Sequence, residues 1–255
     1  MRNYAFLIAL LMALPSHAGD ALVRIDTRPG VQVPIYLMKR DAALATVLLL
    51  PGGDGEIGES ADGAPSSRNF LVRSRDYFAE AGFNVAIAGR ASDKRELDYP
   101  DRIAADHIED LGKVVDVLKK ELGLPVWLVG TSRGTVSATA AAIAFGNERL
   151  AGIVLTSSVT SFRRVGAVPR QDLAAIRIPV LVVHHEQDAC TICRAAEVPY
   201  IIDGLRNAPV RKKLIVRGGE NPTGDPCEAL HYHGFIGQER QVVGQIAAWI
   251  RQPMP

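Results

Sequence analysis

Apolar residues recur along this chain in two rhythms that alternate. Short unbroken runs at 45–50, 84–88, 126–129, 153–156, 180–184 and 213–216 predict strands, most of them covered on both faces. Between them lie stretches with apolar residues three and four apart. In 102–122 these are Ile108, Leu111, Val115, Leu118 and Leu122, and in 237–251 they are Val243, Ile246 and Ile250, each set forming one helix face. Further helices are predicted at 69–80, 133–145 and 193–206. Near the start, 21–27 and 31–40 read as two strands joined by a turn at Pro29-Gly30, with no helix between them. The alternation predicts an α/β fold, with a mostly parallel central sheet of about eight strands and helices on both faces. The first two strands supply an antiparallel edge. Neither a repeat nor a low-complexity linker divides the chain, so 19–255 is expected to be one domain.

Residues 1–18 break the pattern. Arg2 precedes an apolar run over 5–14, Pro15 ends it, and Ser16-His17-Ala18 follows. This is the layout of a secretory signal peptide, too short to span a bilayer. Cleavage after Ala18 and a periplasmic or secreted protein are the expectation. No later run is apolar and long enough for a membrane span. Lys plus Arg number 29 against 28 Asp plus Glu, so no basic face invites nucleic acid. Hydrophobic residues make up 47% of the chain, enough for a full core.

Candidate chemistry centres on Gly130-Thr131-Ser132-Arg133-Gly134, where a strand turns into a helix. A sharp turn there strains its central residue and crowds the residues two before and two after, which glycine relieves. Ser132 is thereby exposed above the carboxyl ends of the strands, where such sheets bind ligands. A helix N-terminus beside it offers free N–H groups to an anion. A serine hydroxyl needs a base, and the base needs an orienting group. Two histidines, His231 and His233, lie in the loop before the last helix, and Gly234 makes His233 the preferred base. Glu186 and Asp188 follow the strand at 180–184, and Asp188, further into the loop, is the preferred acid.

The order Ser132, Asp188, His233 with a Gly-x-Ser-x-Gly elbow resembles the α/β-hydrolase superfamily. The resemblance runs from about residue 31 to the C-terminus. "VGTSRG" is similar to its nucleophile elbow, "PVLVVHHEQDAC" to the strand carrying the acid, with His185 where a glycine is usual, and "HYHGF" to the segment holding the histidine. "LLLPGGDG" is similar to the loop that donates an oxyanion N–H, with Pro51 where many members have histidine. The resemblance implies a Ser132–His233–Asp188 triad. It also implies an oxyanion hole made of the Gly53 N–H, with Asp54 as the neighbouring alternative, and the Arg133 N–H. No metal or cofactor is implied.

If Asp188 meets His233, the cysteines near them are drawn together. This predicts a disulfide from Cys227 to the Cys190/Cys193 pair, with Cys193 as the preferred partner. The rival is a Cys190–Cys193 redox pair. The short segment after the sixth strand predicts little or no lid. Arg163 and Arg164 there are read as a solvated face, and the loop 54–67 as a wall of the acyl pocket. The expected function is hydrolysis of a small-molecule or polymeric ester. The alternatives are an acyltransferase, peptidase or polyester depolymerase on the same scaffold, or a non-catalytic binding or thiol-exchange protein.

Overall fold

The computed structural model describes residues 19–255, so the signal-peptide expectation lies outside the described residues. Eight strands form one sheet in the order β1 (Ala21–Arg28), β2 (Val31–Met38), β4 (Asn84–Ala88), β3 (Thr46–Leu50), β5 (Val126–Thr131), β6 (Gly152–Thr156), β7 (Val180–His185) and β8 (Arg211–Val216). The hairpin β1–β2 is antiparallel and joins β4 antiparallel, while every pairing from β4 to β8 is parallel. The strands expected from apolar runs are therefore the parallel ones, five in the interior and β8 at the edge.

Alternate side chains of those strands feed two cores. Leu48, Leu128, Ile153 and Val182 point to one side, where α3 (Ala105–Leu122), α4 (Gly134–Arg149) and α5 (Val198–Gly204) cover them. Leu49, Val129, Val154 and Val183 point to the other, covered by α1 (Phe70–Arg73), α2 (Arg75–Glu80) and α6 (Glu239–Arg251). On α3 the expected stripe buries Leu111, Val115 and Leu118. Gly123 ends that helix in the left-handed conformation, φ 65°. On α6 the stripe buries Val243, Ile246 and Ile250.

Three predicted helices differ in detail. The stretch 69–80 is two short helices parted at Ser74, whose φ of −99° and ψ of 6° lie outside the helical range. Residues 102–104 are not part of α3, because Asp101–Ile103 forms a separate 3₁₀ turn and Ala104 is extended. The region 193–206 holds a 3₁₀ turn, Ala195–Glu197, before α5, where Pro199 suits the first helical turn. Between β6 and β7 the chain makes only two 3₁₀ turns, Val168–Arg170 and Leu173–Ala175, and no α-helix covers the sheet rim there. No helix among the described residues is long and apolar enough to cross a membrane.

Candidate active site

Ser132 stands between β5 and α4 with φ 51°, a left-handed backbone that serine rarely adopts. Two contacts explain the flanking glycines. A Cβ at Gly130 would lie 2.5 Å from the Gly134 carbonyl oxygen, and a Cβ at Gly134 would collide with the Leu50 carbonyl at the end of β3. The second glycine thus serves the packing of α4 against the sheet as well as the turn. The bend is held by hydrogen bonds on both sides. The Ser132 N–H donates to the Thr156 carbonyl (3.0 Å), and the Thr135 hydroxyl donates to the Ser132 carbonyl (2.6 Å). Thr135 also accepts the Val159 N–H (3.2 Å), tying the elbow to the end of β6.

Asp188 and His233 meet as a buried pair. His233 Nδ1 lies 2.8 Å from Asp188 Oδ2, and the Asp188 side chain is wholly buried. The Cys190 N–H donates to the other carboxylate oxygen (3.0 Å). A carboxylate accepts only, so Nδ1 carries the proton and Nε2 presents its lone pair. Nε2 is buried and makes no hydrogen bond. The His233 carbonyl accepts from the Ser157 hydroxyl (2.7 Å), which pins the backbone of the histidine to the loop after β6. The rejected alternatives face elsewhere. Glu186 is half-exposed and pairs with Arg217, and His231 packs its ring edge-on against Tyr232. His184, directly beneath, accepts the Ser158 N–H at Nε2, and burial pushes it down to about 4, so it is neutral.

Ser132 and His233 open onto one cavity of about 500 Å³, within the range of small-ligand sites. Gly53, Arg133, Tyr99 and Ile192 also line it, as do Asp54, Glu56 and Ser67 of the loop predicted to wall it. The Gly53 and Arg133 N–H groups have no acceptor among the described residues. Asp54 is engaged by Arg90 at 3.0 Å. Gly52, which the sequence reading passed over, has its own requirement. A Cβ there would lie 2.8 Å from the Ser132 Cβ, so glycine lets the loop reach the serine. Arg164, expected to be solvated, lies with Arg133 against the Tyr99 ring, at 5.3 and 4.8 Å.

The cysteine pairing differs from the expectation. Cys190, not Cys193, bonds Cys227, and Cys193 is a free buried thiol. The two candidates sit at the ends of one tight turn, Cys193 N–H to Cys190 carbonyl, so distance along the chain could not separate them. Orientation does: the Cys190 sulfur is the one that meets Cys227, although both sulfurs lie within 4.8 Å of a His233 imidazole nitrogen. Burial pushes the Cys193 thiol well above the usual range.

No family model matches the chain, and no curated protein is significantly similar to it. Many solved structures share its fold. An α/β serine hydrolase without a lid from Xanthomonas campestris has 16% identity and a TM-score of 0.60, covering 93% of this chain and 96% of its own. An esterase from Pyrococcus furiosus has 12% identity and a TM-score of 0.66, covering 97% of both chains. The protein Est1E from Butyrivibrio proteoclasticus has 14% identity and a TM-score of 0.62, covering 91% of this chain and 98% of its own.

Proposed function

The chain has the α/β-hydrolase fold, and on that fold we propose that it is a serine hydrolase cleaving carboxylic esters through an acyl-enzyme. The observation that carries the reading is the buried Asp188–His233 pair, which lines the same cavity as the strained Ser132 and leaves Nε2 without a partner among the described residues. When a substrate carbonyl enters, the Ser132 hydroxyl attacks it as the imidazole Nε2 takes its proton. Asp188 keeps the imidazole in the Nδ1–H tautomer and stabilises its charged form. The negative charge developing on the carbonyl oxygen falls to the Gly53 and Arg133 N–H groups, each such donor being worth about 3–4 kcal/mol of barrier. The protonated imidazole then gives its proton to the leaving alcohol. Water, activated by the same Nε2, releases the acid and restores Ser132.

An ester substrate is proposed, and the open rim, with no helix between β6 and β7, leaves room for small-molecule and polymeric esters alike. Export to an oxidising compartment is part of the same proposal, supported by the Cys190–Cys227 disulfide and the leader-like 1–18. The test is turnover of p-nitrophenyl esters of rising chain length beside peptide and polymer substrates. Short esters should be cleaved fastest, and Ser132→Ala should abolish the activity. A Ser132→Ala protein with the full wild-type rate would refute the assignment.

A further inference from the structure

Arg102 is the largest fully buried side chain in the molecule's described part, at 1% exposure, and it has no carboxylate partner. The two acids that act on it from a distance, Asp54 and Asp98, are already engaged by Arg90 and Arg133. Burial lowers its guanidinium to about 9, which leaves it charged at neutral pH. A charge held without a counter-ion is costly, and an apolar side chain of similar volume would fill the space without that cost. Core filling alone therefore does not account for it.

Its hydrogen bonds suggest what does. Nη2 donates to the Gly53 carbonyl (3.1 Å), Nε to the Leu97 carbonyl (3.1 Å) and Nη1 to the Ser137 hydroxyl (3.2 Å). Ser137 lies on α4, one turn beyond the elbow, and its hydroxyl is also hydrogen-bonded to His107 Nε2 (2.9 Å). His107 can accept because burial and the Arg102 charge hold it down to about 4. Leu97 is bound to the same loop a second time, its N–H donating to the Asp54 carbonyl (2.8 Å). Gly53 itself is exposed, at φ 60°, and has no side chain to fix it.

We propose that Arg102 is the positioning residue of the oxyanion loop: it holds the Gly53–Asp54 peptide against α4 so that the Gly53 N–H keeps its aim at the reacting carbonyl oxygen. This rests on the serine-hydrolase reading above. Arg102 touches no substrate. Its planar fork grips the loop and the elbow helix together, so the two oxyanion donors, one on each, keep their spacing. Its charge also favours an anion forming nearby.

The test compares wild type with Arg102→Met, Arg102→Lys and Arg102→Ala on p-nitrophenyl acetate. It also follows the rate at which a fluorophosphonate labels Ser132, and the thermal midpoint. Arg102→Met should lose roughly 10- to 100-fold in kcat with KM little changed, as expected for a donor displaced by about an ångström. Labelling should slow in parallel. Arg102→Lys should fall between, because it keeps the charge and loses the fork. Added guanidinium ion should restore part of the Arg102→Ala rate. A kcat for Arg102→Met within about twofold of wild type overturns the proposal. So does a loss matched by the unfolded fraction with no guanidinium rescue. If no Arg102 variant folds, Ser137→Ala removes one of the three acceptors, and an unchanged kcat there is equally fatal. Wild type that neither turns over ester nor takes the label refutes the hydrolase reading, and this proposal with it.

Discussion

The two sides of the site are built by different means. The elbow side, with Ser132, Gly52 and Gly53, is fixed by backbone packed on backbone, since Gly130, Gly134 and Gly52 each stand where a methyl group would collide. A buried long-range clamp, Arg102, adds to it. The base side instead hangs on loops. Asp188 follows β7, and His233 ends the loop 217–231, which has little regular structure. One covalent bond, Cys190–Cys227, joins those loops. Sheet packing holds Ser132, the proposed nucleophile, whereas a staple and a few buried hydrogen bonds hold His233, the proposed base. The elbow side should therefore tolerate reduction and the base side should not, whereas added backbone volume should harm both, since a Cβ at Gly234 would lie 1.9 Å from the Ala229 carbonyl oxygen.

The largest effects fall on the chemistry both sides share. Ser132→Ala should cost about ten-thousand-fold or more in kcat. Asp188→Asn should cost about 10³- to 10⁴-fold, because it leaves the imidazole without the acceptor that sets its tautomer. Steady-state kinetics, with circular dichroism to show that the fold is kept, checks both. Next comes the staple. The disulfide spans 37 residues, and replacing both Cys190 and Cys227 by serine should lower the unfolding free energy by about 3–4 kcal/mol in urea titration. An equal loss of stability after Gly52→Ala, with activity kept, would contradict the division drawn here.

A smaller effect comes from acid. His107 behind the elbow and His184 beneath the base both have folded-state values near 4, against 6.5 in the unfolded chain. Between those values the unfolded chain binds more protons, so stability is complete above about 6.5 and falls as pH drops toward 4. The urea midpoint should be lower at pH 5 than at pH 7. The smallest effect belongs to Cys193. Buried, with its thiol pushed up, it should resist alkylation in the native protein and react only on unfolding.

Much of this was legible in the sequence where one physical rule acts alone. Unbroken apolar runs marked the interior strands, and the Gly-x-Ser-x-Gly turn marked Ser132. His233 and Asp188 are the two members of their candidate pairs that meet. What stayed hidden depends on tertiary partners. Arg102 sits at the start of the stretch 102–122, read only for its helix face, and only the fold reveals the Gly53 carbonyl that it meets. Gly52 looked like one more loop glycine until Ser132 stood against it. Cys190 and Cys193 differ in direction rather than in reach, and a tight turn leaves no trace of direction in their spacing. Thr135 resembles any helix threonine, yet it braces the elbow from inside.

The most direct test of the central claim is to treat the native protein with a fluorophosphonate and map the adduct by peptide mass spectrometry. A single adduct on Ser132, formed quickly by wild type and hardly at all by His233→Ala, is the predicted result. Equal labelling of the His233→Ala protein, or no labelling of wild type, would contradict the claim that this histidine activates this serine.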